Sequence, residues 1–338
     1  MAYILLASAL HAAAAFTVVP EQSISGPFTS FDSDGFRTYP GWRVGGSTSL
    51  QENFIRLTND RANKRASLWS STRMAMDEWS TTIRFRVSGQ GKRLFGDGLA
   101  LVRGVAAAPG CCWLAGTHTH LSHSTHLTHT HSPLQWFTTN EFHRDGPLHG
   151  FLETFKGFGI IFDTFVNSDP GHVHRDIKFV TSDGVAKVRD EGTPTGCDAD
   201  FRYWEGRDDV SVYNHSVARV RFAGGRVSLW VDAKATGNFV PCFEGALPAA
   251  APADSWWREG AWLGLTATTG DLADNHDLLS LLTGPEDEVA PKDWLDPRPE
   301  LVPSGSEEID RAIRSAIAYE TWEVRDRLSF LEHKLEHE

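Results

Sequence analysis

Nowhere does this 338-residue sequence reach the 18 or so uninterrupted apolar residues that a bilayer-crossing helix needs, so the chain as given reads as carrying no membrane anchor. Positive charge is also in short supply. The 32 Lys and Arg are outnumbered by 44 Asp and Glu, and a net charge of -12 argues against a surface made for nucleic acid. Cysteine is scarce: four residues allow at most two disulfides, in an oxidising compartment, and leave three pairings open. Before residue 300 the Leu-, Ala-, Glu- and Lys-rich runs of long helices are missing. In their place stand 30 Gly, 16 Pro, 20 Phe and 12 Trp, the mixture of turn formers and bulky strand residues expected of a β-rich domain. Hydrophobic residues make up 41% of the chain and charged residues 22%, too much apolar material for a disordered chain and enough for a sizeable core.

Residues 1–15, MAYILLASALHAAAA, form an apolar run of signal-peptide length that ends in small residues suited to cleavage before Phe16, although no Lys or Arg opens it. Entry into the secretory pathway is the expectation. From Phe28 to about Leu282, segments such as TTIRFRVSG, GIIFDTFVN and VARVRF follow the two-residue period of strands and are separated by turn signals. They predict an antiparallel sandwich, with Ala223-Gly224-Gly225-Arg226 as a hairpin turn between VARVRF and VSLWVD. Residues 285–305 are Pro-rich and acidic and read as a linker. From Ser306 to Glu338 there is no Gly or Pro, and Ile317, Val324, Leu328, Leu331 and Leu335 trace a rough heptad seam. That stretch predicts a helix, either a coiled-coil stalk or a lone amphipathic helix packed back on the sandwich.

One insertion stands apart. Val102 to Gln135 holds six histidines, at 118, 120, 123, 126, 129 and 131, beside the adjacent Cys111 and Cys112. Alternating histidines on an extended chain place imidazoles on one side, which suits a metal-sequestering tract. A low-complexity loop is the plainer reading. A third rests on the genetic code: a valine codon begins GT and glutamine can be encoded CAG, so the segment has the ends of a translated intron. This third reading is preferred, because omitting 102–135 joins Leu99-Ala100-Leu101 to Trp136-Phe137-Thr138 as one apolar strand.

Three segments share a design: Gly96-Asp97-Gly98-Leu99-Ala100, Phe162-Asp163-Thr164-Phe165-Val166-Asn167, and Thr269-Gly270-Asp271-Leu272-Ala273-Asp274-Asn275-His276-Asp277. Each sets an acidic residue beside a glycine or a turn at the end of an apolar strand. Carboxylates and amides on such loops accept hydrogen bonds from sugar hydroxyls, and glycine lets a backbone N–H come close enough to donate. A single Asp-Gly is more often just a turn. The three together, with Gly26-Pro27-Phe28, Trp42, Ser67-Leu68-Trp69, Trp79, Gly157-Phe158-Gly159, Gly196-Cys197, Phe201-Arg202 and Cys242, make the sequence resemble the L-type, or leguminous-type, lectins that carry cargo between endoplasmic reticulum and Golgi.

The resemblance covers residues 23–284 and implies an all-β, antiparallel, concanavalin-like jelly-roll sandwich in the secretory lumen. It implies recognition of high-mannose N-glycans on glycoprotein cargo, with no bond made or broken. Asp97 would accept from a pair of mannose hydroxyls, Asn167 would touch both sugar and calcium, and the backbone of Gly270, Asp271 and Leu272 would close the pocket. Asp163, the Phe165 carbonyl, Asn167 and Glu191 would hold Ca2+, a hard cation that wants several oxygens in one loop. Cys197 and Cys242 would form the family's disulfide, leaving Cys111 and Cys112 as extras. Members of the family are usually type I membrane proteins, and the C-terminal helix here is a candidate for self-association. Asn214-His215-Ser216 is an N-glycosylation sequon in a predicted strand.

The chain departs from the family before Cys197. Where the family carries Tyr-Asp-His-x-x-Asp-Gly, this sequence reads Lys187-Val188-Arg189-Asp190-Glu191-Gly192, shorter and without a histidine. A lectin fold acting as a scaffold or protein-binding module is therefore the alternative. A jelly-roll glycoside hydrolase is less favoured, since two carboxylates about 5 Å apart on one strand face are required and no Glu-x-Asp-x-Glu pattern falls in a predicted strand.

Overall fold

A computed structural model describes residues 17–74, 76–92, 99–105 (backbone only), 146, 148–165, 175–188, 193–207, 210, 214–247 and 261–285. The signal-peptide stretch, most of the histidine-bearing insertion, the Pro-rich linker beyond Pro285 and the predicted C-terminal helix lie outside the described residues.

The strands run β1 (Ile24–Ser25), β2 (Ser30–Phe31), β3 (Arg37–Thr38), β4 (Trp42–Gly46), β5 (Ser49–Leu50), β6 (Ile55–Thr58), β7 (Arg65–Ser70), β8 (Trp79–Gly89) and β9 (Leu99–Val105). They continue as β10 (Lys156–Phe162), β11 (Ile177–Asp183), β12 (Gly196–Cys197), β13 (Arg202–Trp204), β14 (Ser216–Ala223), β15 (Arg226–Asp232), β16 (Val240–Ala246), β17 (Trp262–Thr268) and β18 (Asn275–Gly284). One sheet has the order β16-β15-β14-β8-β18-β6-β5, with β1 added to β18 and β13 to β8; the other is β12-β11-β10-β9-β17-β7-β4. Almost every pairing is antiparallel, the β13–β8 pair being parallel. This is the predicted all-β sandwich. The hairpin turn also falls as predicted: Gly224 (φ 56°) and Gly225 (φ 73°) are both left-handed, as a two-residue turn matched to strand twist requires.

The sheets are joined by aromatic rings. Trp79 of β8 stacks on Phe158 of β10, 6.4 Å between centroids, and on Phe222 of β14 at 5.8 Å. Phe85 meets Phe162 at 4.8 Å, and Phe201 closes on both. Burying each of these side chains contributes about 1.5–3 kcal/mol. Register then fixes what the other face of each strand carries. Pairing of Ile160 with Phe179 and of Phe162 with Ile177 turns those residues inward, so Ile161 and its partner Lys178 share the outer face of the seven-stranded sheet. That face is covered in turn: the Leu148–Phe155 segment crosses it, the His149 carbonyl accepting from Thr266 Oγ1 (2.9 Å) and Phe151 packing on Trp69 (5.7 Å).

Two sequence expectations change in detail. Asn214 lies in the connection before β14, which begins at Ser216, and not within a strand. Strand β9 runs to Val105, so Val102–Val105 fill the register positions that Trp136–Thr139 would take in a chain lacking 102–135.

Cys197 on β12 and Cys242 on β16 form a disulfide, with Cα atoms 5.1 Å apart. Because β12 and β16 are the terminal strands of the two different sheets, the bond ties the sandwich together along one edge. It closes a loop of sequence separation 45, for which the chain-entropy account gives about 4 kcal/mol. The double variant Cys197→Ser, Cys242→Ser is expected to unfold at a correspondingly lower urea concentration with a somewhat steeper transition, because its unfolded chain is less compact. A midpoint equal to that of the oxidised protein would show that strand pairing alone holds this edge.

Candidate functional site

The first site element begins where β10 ends. Asp163 follows Phe162 and is fully buried, its N–H donating to the Asp176 carbonyl at 2.7 Å. Its carboxylate Oδ1 accepts from the Phe165 N–H at 2.9 Å, an Asx-type turn that bends the chain within two residues. Its Oδ2 accepts from Lys178 Nζ at 2.7 Å, and this ammonium is itself buried. Between them Thr164 Oγ1 donates to Asp274 Oδ2 at 3.3 Å, which joins this loop to the one between β17 and β18.

That second loop is anchored from both sides. The Gly270 carbonyl accepts from the Asn63 N–H (2.9 Å), and Thr269 exchanges hydrogen bonds with Lys64, its N–H donating to the Lys64 carbonyl and its Oγ1 accepting from the Lys64 N–H, both 2.9 Å. On the far side Arg202 grips Asp274 with two bonds, Nε to Oδ2 at 2.8 Å and Nη2 to Oδ1 at 2.6 Å. Between the anchors Asp271 stands exposed and Leu272 half-buried. Gly89 makes room for the grip: a Cβ there would lie 2.2 Å from Asp274 Oδ1 and 3.0 Å from Arg202 Nη2. Asn275 continues the network, accepting from the Asp60 N–H (2.9 Å) and donating to Glu205 Oε1 (2.8 Å), while Asp60 Oδ2 accepts from the Gln90 N–H (2.8 Å).

The segment Gly270–Asp277 thus divides by role. Gly270, Asp271 and Leu272 face the end of the sandwich. Asp274 and Asp277 are buried structural acids. Asp277 sits between Arg56 (2.8 Å) and Arg86 (2.7 Å); burial pushes its carboxyl up, but the two guanidiniums outweigh that and hold it below the usual range. His276, also fully buried, turns its Nδ1 to Thr58 Oγ1.

Of the other expected site residues, Asp97, Asn167 and Glu191 lie outside the described residues. Asp163 and Phe165, named as calcium ligands, are joined to each other by the hydrogen bond from the Phe165 N–H to Asp163 Oδ1. Among the described residues no group of three or more His, Cys, Asp or Glu is placed to hold a metal ion. Nor does the described part suit calcium. A dication bound to Asp163 would face the Lys178 ammonium across one carboxylate. At an effective dielectric of 20, a pair of unit charges 4 Å apart interacts by about 4 kcal/mol, and a doubly charged ion doubles the repulsion.

Sequence reasoning missed Lys178, Asp60 and Glu205, and named Arg202 only as part of the resemblance, without its pairing to Asp274. A signal existed for the first, a lone lysine inside the apolar run Ile177-Lys178-Phe179-Val180.

Burial is the largest influence on Asp274 and pushes its carboxyl up to about 7, with Arg202 pulling it down and Asp60 pushing it further up. A folded-state pKa raised above the unfolded value favours the fold below that pKa, and the contribution is lost as pH rises through it. Removing Arg202 takes away the opposing pull and leaves a buried charge uncompensated. Arg202→Met is therefore expected to lower stability by about 3–5 kcal/mol at pH 8 and by less at pH 5, where Asp274 is protonated. Denaturant titrations at the two pH values check this; an equal loss at both would remove Asp274 from the explanation.

The sequence profile of the legume-like lectin family matches residues 18–106 and 118–288. The VIP36-like protein of Mus musculus is 26% identical over 288 residues, covering 81% of this chain and 68% of the relative. The vesicular integral-membrane protein VIP36 of Homo sapiens is 27% identical over 271 residues, 77% of this chain, and the match spans 60% of its length, less than two thirds. Among solved structures, the Ca2+-bound exoplasmic/lumenal domain of VIP36 is similar with a TM-score of 0.57 and 26% identity, covering 82% of this chain and 95% of that domain. Its Ca2+- and mannose-bound form gives a TM-score of 0.57 and 25% identity over 81% of this chain and 93% of the domain. With the profile running across both sheets and the two anchored loops, the chain belongs to the legume-like lectin family, whose members bind carbohydrate and are not enzymes.

Proposed function

We propose that this protein is a cargo lectin of the early secretory pathway that recognises high-mannose N-glycans on glycoproteins. The observation that carries the reading is the Gly270–Leu272 loop. It is pinned at one end by Asn63 and Lys64 and at the other by the Arg202–Asp274 grip, with Asp271 left in solvent. Backbone groups fixed before a ligand arrives need no ordering when it binds, which favours affinity. The loop lies in the stretch whose counterpart domain in VIP36 has been solved with mannose bound. Asp97 accepts from a pair of sugar hydroxyls, Asn167 contacts the sugar from the neighbouring loop, and the Gly270–Leu272 backbone closes the pocket. If calcium is bound, Asp163, the Phe165 carbonyl, Asn167 and Glu191 are the residues to hold it, and what it supplies is a fixed pose for Asn167; Asp163 is where this chain resists it.

The apolar leader at 1–15 and the Cys197–Cys242 bond suit a protein that matures in an oxidising lumen. The 306–338 helix is a means of self-association, and Asn214 is a candidate glycan acceptor. Val102–Gln135 is a retained intron in this reading. Sequencing the transcript checks it, since a mature message that keeps the segment in all tissues would end the idea.

A glycan array probed with the whole chain is expected to show high-mannose binding that falls more than tenfold in Asp97→Ala, the cost of leaving sugar hydroxyls without their charged acceptor. A folded protein that binds no glycan would favour the second reading, a sandwich that serves as a scaffold, for which the missing histidine before Cys197 is the supporting observation.

A further inference from the structure

We infer that Lys178 is a built-in cation: its ammonium takes the place of a divalent ion at Asp163 and makes the order of this loop independent of calcium. The inference rests on the lectin reading only for the identity of the loop; the charge argument stands by itself. Lys178 lies on the outer face of β11 through its register with Ile161, and its side chain is only 5% exposed. An ammonium is costly to take out of water, and here it is placed 2.7 Å from the one carboxylate that ends the facing strand, itself fully buried. A calcium ion does its structural work by collecting several oxygens from one loop. Here each residue of the turn already has a direct fastening: the Asp163 N–H on the Asp176 carbonyl, both Asp163 oxygens on Lys178 and the Phe165 N–H, and Thr164 on Asp274. What a mobile dication would contribute after binding is supplied by a residue of the fold, without a dissociation constant.

Charge balance points the same way. The Asp163 carboxylate and the Lys178 ammonium form a neutral pair; among the described residues of the turn Thr164 and Phe165 add no negative side chain, and the Asp274 carboxylate that Thr164 reaches is itself gripped by Arg202. Replacing Lys178 with an uncharged side chain restores the unpaired buried carboxylate that a hard cation seeks.

The test uses the full chain, with calcium chloride as probe and two readouts besides glycan binding, calorimetric titration and thermal melting. Wild type is expected to take up no calcium at about 1 mM, the range of weak extracellular sites, and to melt at the same temperature in calcium and in chelator. Lys178→Met should melt roughly 10 °C or more lower in chelator, as expected for a buried charge deprived of its partner, and recover part of that loss in calcium. The double variant Asp163→Asn, Lys178→Met, with neither charge of this pair, should regain folding and ignore calcium. Stoichiometric calcium uptake by wild type, or a calcium-dependent rise in its melting temperature, would overturn the inference. So would a Lys178→Met protein as stable in chelator as wild type. If Lys178→Met does not fold, the wild-type titration and the double variant decide the matter. Failure of the array with an unchanged calcium result would remove the glycan reading and leave the tethered cation in place.

Discussion

A carboxylate cannot leave water without a companion, because the desolvation cost of a bare ion exceeds what any one contact in a protein interior returns. This domain takes several aspartates inside and gives each its own. Asp163 is met by Lys178, Asp274 by Arg202, and Asp277 by Arg56 and Arg86 together. Asp232 is held by the N–H groups of Thr236 and Gly237 and by the Thr236 hydroxyl. The charged companions come from different strands, so each ion pair fixes the end of one strand relative to another, whereas the partners of Asp232 belong to the turn that follows its own strand. The loops at the end of the sandwich inherit their shape from these pairings. A rigid pair of sheets would not by itself determine where Gly270 or Thr164 sits; the anchored charges do.

This changes the meaning of the Gly270–Asp277 segment. As a string it reads as a binding motif throughout, yet of its acidic residues Asp271 alone is exposed, while Asp274 and Asp277 are buried. Those two lock the motif to β6, β8 and β13. Such a string serves the fold as much as a ligand, and a variant at Asp274 or Asp277 that abolishes binding says little about contact with sugar.

The fold was largely legible in the sequence. Two-residue alternation located the long strands β8, β10, β14 and β15, the Gly224-Gly225 pair marked the hairpin, and the resemblance named Cys197 and Cys242 as partners. Alternation failed where both strand faces are covered. All eleven positions of β8 are buried, so Arg84 and Arg86, which by pattern alone belong in solvent, lie inside. The same limit hid the site's charges. Lys178 could be noticed in Ile177-Lys178-Phe179-Val180, but its partner is fifteen residues away and becomes its partner only through the register of β10 and β11. Arg202 is farther still from Asp274, and no local pattern announces a pair separated by 72 positions.

The placement of Cys197 and Cys242 has a bearing on biosynthesis. Each sulfur belongs to the outermost strand of a different sheet, and the two approach one another only when β12 and β16 are stacked at this edge. Oxidation is thus a record of finished assembly. A chain whose sheets have not stacked presents two separated thiols, whereas the folded domain presents none at this edge. A thiol-reactive label would therefore separate mis-stacked chains from folded ones at this one edge.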